Sequence, residues 1–379
     1  MSIASQAGNP PRPTRREATA LIASALLFGP RTIPAAKAAP ADPRPQVPSK
    51  GFNLPGWVDR NPGSPPARAV LEKLHGLCFR SVRLPVSADT IAGVDAGERT
   101  AMLARISAAA GELVESGYSV IVDLHPDGAF ARLLHLDPAA AGDRAAEAWT
   151  YLGETIADLP VGSAYAELLN EPPLEQAVWL DLRERLAQIV RSRCAHTIVW
   201  GPARYQGIWE LAETPPLTDR NSIAAVHYYA PMAFTHQCEN WDSSPVGRLK
   251  NLPFPATRDT PAVTRLFSEL KDAGDERALA ALEDAFEHPW TTAQIASDFA
   301  GVAEWSRKND CPVVLDEFGA LGFCSDAASR AGWIRAVRQA AEADGIGWAY
   351  WELDYGFGFI RNRQSTEGFD RPVIEALLG

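Results

Sequence analysis

The stretch AYAELLNEP, residues 164–172, decides how the rest of the chain is interpreted. It begins as a mostly apolar run with the character of a buried strand and ends in the polar pair Asn170–Glu171. Pro172 and Pro173 follow, and neither can donate a backbone hydrogen bond to a sheet. We therefore expect a strand to end here and to leave the carboxylate of Glu171 at the start of a loop. In a parallel α/β fold, that end of a strand carries active-site residues.

A second stretch, PVVLDEFG at residues 312–319, has the same form, because an apolar run ends in the acid Glu317. Each acid taken alone is equally well read as the polar first residue of a loop. Together, two carboxylates at the ends of two buried strands suit glycoside hydrolysis. That reaction needs one acid to protonate the leaving oxygen and one carboxylate to attack or to activate water.

Strand-like segments alternate with amphipathic helical segments through the folded part of the chain, a pattern typical of a parallel α/β fold. The predicted strands are residues 51–54, 81–85, 119–125, 164–171, 197–201, 223–229, 312–317 and 347–351, and the predicted helices are 65–75, 99–116, 144–159, 174–193, 292–308 and 326–343. Eight such strands predict a single-domain (β/α)8 TIM barrel. An open doubly wound sheet is the alternative, but no glycine-rich phosphate loop follows the first strand.

A long loop insertion follows the sixth strand, from residue 230 to about 289, with a helical piece near residues 275–286. Long βα connections lie on the catalytic face of a barrel, so we expect this one to shape a substrate cleft. A surface excursion without substrate contact is the alternative.

Composition narrows the class of protein. The chain has 379 residues, of which 46% are hydrophobic and 22% charged, as in a globular enzyme with one large domain. Its formal net charge of −11 argues against nucleic-acid and anionic-membrane partners, which require a basic surface. We expect a monomer.

Five cysteines lack any C-x-x-C pair, which disfavours a zinc site. Cys238 and Cys324 lie in predicted loops and are candidates to pair in an oxidising compartment. Cys78, Cys194 and Cys311 are near apolar stretches and are interpreted as small core residues.

The N-terminus carries an export signature. Arg15–Arg16 precede an apolar run at residues 18–29 that is too short to span a bilayer, and Ala36–Lys37–Ala38 fits a cleavage site. We predict a signal peptide over residues 1–38, with the paired arginines indicating the twin-arginine route, and a periplasmic or extracellular protein. A proline- and alanine-rich linker, 39–49, would then lead into a catalytic domain at 50–379. A basic tail with a chance apolar run is the alternative.

Polar or aromatic residues end six of the predicted strands, and the C-terminal ends of barrel strands converge on one pocket. In chain order they are Arg83, His125, Asn170, Glu171, His227, Tyr229, Glu317 and Trp351. Singly, each has a structural explanation, such as a buried ion pair or core packing. All eight residues together, in this order at the ends of six strands, form a far more specific pattern than any one of them alone.

This set resembles glycoside hydrolase family 5, the cellulase family of retaining β-glycosidases, over most of the chain from Gly51 to Trp351. The resemblance implies that Glu171 is the general acid/base and Glu317 the nucleophile. Arg83 and Tyr229 are then expected to keep Glu317 ionised. The negative charge of Glu317 is expected to raise the pKa of Glu171.

The remaining positions of the set are expected to contact sugar. Asn170 would bind the 2-hydroxyl, His125 and His227 would bind sugar or orient the acids, and Trp351 would lie under the reacting ring.

Residues outside the family pattern carry weaker expectations. Asp123 is expected to bridge to Arg83 or to close its strand, and Asp316 to face outward. Candidate walls of the cleft are His236, Trp241, Trp57, Trp209 and Tyr205, while Glu352 and Asp354 are expected to contact sugar or only water.

The leading functional prediction is an exported endo-β-1,4-glucanase acting on a β-linked oligo- or polysaccharide. A β-mannanase or β-1,3-glucanase is the alternative on the same catalytic set, and a non-catalytic glycan-binding barrel is the alternative of another class. No metal or organic cofactor is predicted, because two carboxylates suffice for the reaction.

Overall fold

The computed structural model describes residues 44–59, 63–241 and 243–379. These residues contain eight parallel strands closed into a barrel in chain order. The strands are β1 Gly51–Asn53, β2 Ser81–Ser87, β3 Ser119–His125, β4 Ala164–Glu167, β5 Thr197–Trp200, β6 Ser222–Tyr228, β7 Val313–Phe318 and β8 Gly347–Tyr350. Phe52 of β1 is in register with Val82 of β2 and Tyr350 of β8, which closes the ring. The predicted TIM barrel and its eight strands are confirmed.

Helices cover the outside of the barrel. Their bounds are α1 Arg68–Gly76, α2 Ala96–Glu115, α3 Gly128–Leu136, α4 Pro138–Ile156, α5 Gln176–Arg193, α6 Ile208–Ala212, α7 Met232–Thr235, α8 Pro261–Asp272, α9 Glu276–Ala285, α10 Thr292–Asn309, α11 Ala327–Ala343 and α12 Arg371–Leu378. Local sequence explains the ends of α2: the Asp95 carboxylate accepts the N–H groups of Gly97 and Glu98, and Gly117 beyond the helix adopts a φ of +89°. In the part of the chain that is described, no helix is both long and apolar enough to cross a membrane.

Tryptophans anchor the loops to the layer between strands and helices. Trp149, Trp179 and Trp333 are fully buried in this layer. Their indole N–H groups donate to the main-chain oxygens of Leu168, Gly201 and Ala230, at 2.7, 2.8 and 3.0 Å. Those three oxygens lie just after β4, β5 and β6. The tryptophans therefore stabilise the core by apolar burial and also position the first residues of three loops at the C-terminal ends of the strands.

The half of the barrel interior nearer the N-terminal ends of the strands, here called the lower half, is apolar. Its side chains form a separate cluster, composed of Ile121, Tyr165, Val199, Ile223, Ala225 and Val314. Val47 packs against this cluster, and the Tyr165 hydroxyl donates to the main-chain oxygen of Gln46 at 2.9 Å. The compact unit begins at Arg44, so residues 44–49, which we predicted as the end of a linker, contact the barrel. The predicted signal peptide, 1–38, lies outside the described residues.

A β-bulge interrupts the pairing of β6 with β7. Val226 is opposite Leu315, but the next residue on β6, His227, is opposite Glu317, so Asp316 is an extra residue on β7. Both acids therefore face the barrel interior, and both contact Arg83. The prediction that Asp316 faces outward was wrong, because it assumed regular alternation through this point.

The connection after β6 contains α7, a 3₁₀ turn at Pro245–Arg248, α8 and α9. Paired main-chain hydrogen bonds of 2.9 Å between Ala256 and Trp290 close its base. A disulfide between Cys238 and Cys324 ties it to the loop after β7.

The three remaining cysteines are free thiols. Cys194 and Cys311 are buried, as predicted. Cys78 is exposed, because it occupies a tight turn after α1 with a φ of +81° rather than a core position.

Candidate active site

Arg83 of β2 organises the polar upper half of the barrel. Its fully buried guanidinium donates to Glu167 through Nε at 2.6 Å and through Nη2 at 2.8 Å. Nη2 also lies 3.1 Å from Oδ2 of Asp123, and Nη1 donates to Oε1 of Glu317 at 2.5 Å. Burial alone lowers the pKa of Arg83, but the charges of Asp123, Glu167 and Glu317 raise it well above its usual value. One permanent cation thus joins carboxylates from three other strands.

Glu317 at the end of β7 has both carboxylate oxygens occupied. Arg83 donates to Oε1, and the hydroxyl of Tyr229 donates to Oε2 at 2.9 Å. Burial, followed by the charge of Glu317, raises the pKa of Tyr229 well above its usual value, so the phenol remains a donor. Both predicted contacts to Glu317 are present.

Glu171 faces Glu317 across His227. Oε1 of Glu171 lies 2.9 Å from Nδ1 of His227, and Nδ1 lies 3.5 Å from Oε2 of Glu317. One side-chain atom from each of the three residues can be chosen so that all lie within 4.8 Å of one another. A separation of about 5–5.5 Å between carboxyl groups is typical of retaining glycosidases, whereas inverting enzymes have roughly 6.5–9.5 Å.

The charges in this group favour a proton on His227 over one on Glu171. Burial lowers the pKa of His227, but Glu317, Asp316 and Glu171 together raise it well above its usual value. Burial likewise raises the pKa of Glu171, but the hydrogen bond and positive charge of His227 lower it below its usual value. The expected rise in the pKa of Glu171 was therefore wrong for this state, because it left His227 out of account.

Three further predicted residues form the opposite wall. Oδ1 of Asn170 accepts from Nη2 of Arg83 at 2.7 Å, and Nδ2 lies 3.4 Å from Nε2 of His125. The other ring nitrogen of His125 lies 2.7 Å from Oδ2 of Asp123, and this carboxylate raises the pKa of His125 against the effect of burial. The His125 ring stacks against Trp351, with 5.8 Å between centroids. The structure thus brings all eight predicted site residues together, and Asp123 bridges to Arg83.

Glu167 and Gln206 belong to this site but were not identified from the sequence. Glu167 looked like a lone charge in an apolar strand, although a charge inside a buried strand requires a partner and is itself a signal. Gln206 lies in a loop without a motif. Its Oε1 accepts the main-chain N–H of Glu171 at 3.0 Å.

Glu352 and Asp354, beyond Trp351, differ in their surroundings. Glu352 is buried, and burial together with the charge of Asp354 raises its pKa to about 8. Asp354 forms a bidentate ion pair with Arg363, in which Nε and Nη2 each donate to one carboxylate oxygen. Glu352 thus adds a protonated carboxyl group at neutral pH, whereas Asp354 is already paired.

Aromatic side chains from two loops form the rim beside Tyr229. The centroid of the His236 ring lies 5.1 Å from that of Tyr229 and 6.0 Å from that of Trp241. The ring centroids of Trp241 and Phe357 are 6.2 Å apart. His236 and Trp241 come from the connection after β6, and Trp241 is half exposed.

The other candidate wall residues are placed differently. Tyr205 and Trp209 are more exposed than Trp241, on the loop and helix after β5. Trp57 is buried in the core instead.

The three residues Glu171, His227 and Glu317 also have the donor types of a small metal site. Glu317, however, is already bound by Arg83 and Tyr229, and a permanent cation beside a metal ion would repel it. The arrangement therefore favours proton transfer and nucleophilic attack.

Comparisons with known proteins show which proteins this chain is similar to. The family model "Cellulase (glycosyl hydrolase family 5)" matches residues 41–356. Endoglucanase 3 of Fibrobacter succinogenes is 27% identical over 351 residues, which cover 86% of this chain and 52% of the relative. Endoglucanase H of Acetivibrio thermocellus is 22% identical over 310 residues, covering 79% of this chain and 29% of the relative. The chain thus spans about half, or less, of the length of these curated relatives.

Solved structures show the same fold. Thermotoga maritima Cel5A in complex with mannotriose has a TM-score of 0.71 and 23% identity, covering 88% of this chain and 98% of that one. The same enzyme has also been solved with cellobiose, with equal values. The cellulose synthase subunit Z of Clostridioides difficile has a TM-score of 0.68 and 22% identity, covering 87% and 99%.

Proposed function

The chain belongs to the cellulase family, glycosyl hydrolase family 5, and on that premise we propose that it is a retaining endo-acting β-glucanase that uses Glu317 and Glu171. The observation that carries the proposal is the approach of these two carboxylates to within 4.8 Å around His227. This spacing leaves room for one anomeric carbon but not for an additional water on the opposite face of the sugar.

In the first step, Glu317 attacks the anomeric carbon while the glycosidic C–O bond breaks. Glu171 gives a proton to the leaving oxygen, and a glycosyl ester forms on Glu317. Arg83 and Tyr229 orient the attacking carboxylate through their bonds to its two oxygens. Asn170, whose Oδ1 accepts a hydrogen bond from Arg83, binds the 2-hydroxyl in this proposal as positive charge develops on the sugar.

The proton for this step comes from the Glu171–His227 pair, which titrates as a unit. In the free site His227 carries the proton, and one hydrogen bond of 2.9 Å separates it from Glu171. Once Glu317 is a neutral ester, His227 loses the anion that contributes most to its raised pKa. In the second step, the Glu171 carboxylate removes a proton from the water that hydrolyses the ester, and the pair is restored.

For the substrate, we propose β-1,4-glucan first, because both curated relatives are named endoglucanases. A β-mannan is the second candidate, because the related Thermotoga maritima enzyme has been solved with mannotriose as well as with cellobiose.

We also propose export to the periplasm or the exterior. The predicted signal peptide supports this, and so does the Cys238–Cys324 disulfide, since such bonds persist in oxidising compartments.

Turnover of phenyl β-cellobioside by the purified protein, compared with Glu317→Gln, tests the proposal. We expect turnover by the wild type and a loss of at least about 10³-fold in the variant. A 2-fluoro-glycoside probe should label Glu317, as located by peptide mass analysis, whereas a label elsewhere would refute the assigned roles. Binding without turnover, unchanged in the variant, would favour a glycan-binding barrel. A panel of glucans and mannans with sizing of products then decides the substrate and the endo mode.

A further inference from the structure

Three consecutive residues between β5 and α6 adopt left-handed backbone conformations. Arg204, Tyr205 and Gln206 have φ values of +55°, +69° and +62°, and none of them is glycine. Such a conformation costs roughly 1–2 kcal/mol for each ordinary residue, so a run of three requires compensation elsewhere in the structure.

Gln206, the last residue of this turn, forms hydrogen bonds with both Glu171 and His227. Its Oε1 accepts the main-chain N–H of Glu171 at 3.0 Å, and its own main-chain oxygen accepts the N–H of His227 at 2.8 Å. The Gln206 side chain is fully buried, and Nε2 lies 3.4 Å from Oε1 of Glu167 and from both oxygens of Asp316.

An amide is the side chain that fits these contacts. Oε1 faces a donor, while Nε2 faces two carboxylates, so the group must accept at one end and donate at the other. A carboxylate in its place would face Glu167 and Asp316 as a third negative charge. Gly201 leaves room for this side chain, because a Cβ added to Gly201 would lie 2.2 Å from Cγ of Gln206.

Glu171 depends on support from outside its own strand. Strand β4 ends at Glu167, four residues earlier, and Glu171 itself has a left-handed φ of +42°. Its side chain is about one third exposed, so core packing does not hold it in place. The bond from its N–H to Gln206 therefore joins its backbone to a fully buried side chain at this position.

We propose that Gln206 is a positioning residue that holds the acid/base Glu171 at hydrogen-bond distance from His227. In this proposal the left-handed turn brings the Gln206 side chain to that position. This inference rests on the proposed function. It predicts that loss of the Gln206 amide impairs protonation of the leaving group selectively, leaving nucleophilic attack by Glu317 intact.

The test compares Gln206→Met, which keeps length without the amide, on two substrates. Phenyl β-cellobioside needs a proton on its leaving oxygen, whereas 2,4-dinitrophenyl β-cellobioside does not, and kcat/KM reports formation of the glycosyl-enzyme for both. Because a misplacement of about 1 Å costs on the order of 10²-fold, we expect a loss of about 10–100-fold for the phenyl substrate. For the dinitrophenyl substrate we expect a change of less than about threefold, since protonation contributes little there.

Arg204→Asn is the matched control. Arg204 is exposed, and asparagine tolerates the left-handed conformation, so the turn is kept and both rates should equal those of the wild type. Gly201→Ala is a second route to the same result, because its methyl group displaces Gln206 without changing the amide itself. It keeps the proposal testable if Gln206→Met does not fold.

Equal losses on both substrates, or no loss on either, would overturn the role of Gln206. A wild-type protein inactive on both substrates would instead refute the proposed function, and this inference with it.

Discussion

Nη1 of Arg83 lies 2.5 Å from Oε1 of Glu317, so the proposed nucleophile is bound to the same guanidinium that holds the buried Glu167. Three strands, β2, β4 and β7, are therefore joined by one cation. The interaction that orients the nucleophile is also part of what stabilises the barrel.

Arg83→Lys should destabilise the protein strongly. A lysine cannot reproduce the two parallel bonds to Glu167, and carboxylates would be left buried without a full partner. We expect a loss of about 3–5 kcal/mol in the free energy of unfolding, measured in urea. Arg68→Lys is the control, because Arg68 pairs with Glu72 on the surface and such pairs contribute about 0–1 kcal/mol. Similar losses in the two variants would contradict the central role of Arg83.

His227→Asn should move the basic limb of the pH dependence of kcat/KM to lower pH. In the wild type the Glu171–His227 pair retains its proton up to the raised pKa of His227, whereas in the variant Glu171 alone must hold it. The proton for the leaving group is then lost earlier as pH rises. Phenyl β-cellobioside is the appropriate substrate, and the exposed His288→Asn is the control. A basic limb that stays in place would show that His227 does not store the proton.

Glu352→Gln should stabilise the protein in a pH-dependent manner. Burial raises the pKa of Glu352 to about 8, so the folded state favours its neutral form, and wild-type stability falls as pH rises toward that value. Glutamine cannot ionise. Its advantage should be near zero at the acidic end and should grow by at most about 1.4 kcal/mol per pH unit until about pH 8, then level off. Urea unfolding at several pH values checks this, and an advantage independent of pH would be inconsistent with it.

Cys324→Ser should reveal the contribution of the disulfide. The bond joins residues separated by 86 positions, so its loss releases a long loop in the unfolded chain and should cost about 2–4 kcal/mol. Cys78→Ser, at an exposed free thiol, should be close to neutral. Adding reductant should bring the wild type down to the level of Cys324→Ser, and a gap that survives reduction would assign the effect to the substitution itself.

The barrel and most of its site could be predicted because the relevant information is local. Six of the eight predicted strands are apolar runs that carry a candidate site residue at or near their end, as in SVIVDLH at residues 119–125. Parallel strands bring those ends to one face of the barrel. The proximity of Arg83, Glu171 and Glu317 could therefore be predicted without knowing how side chains pack.

The parts that could not be predicted depend on contacts between strands. The inward position of Asp316 arises from the register of β7 against β6, which neither strand encodes alone. The lowered pKa of Glu171 requires the three-dimensional approach of His227. Gln206 reaches the site through a turn of non-glycine residues in left-handed conformations. Such a turn cannot be predicted from residue types, because none of its residues is a glycine.

The bulge in β7 also limits how this pocket can be transplanted. A regular strand presents every second side chain to the lumen, so an idealised scaffold would offer either Asp316 or Glu317, but not both. An engineer who copies the pocket onto such a scaffold must therefore copy the irregularity too, since one residue fewer would remove an acid from the reaction chamber.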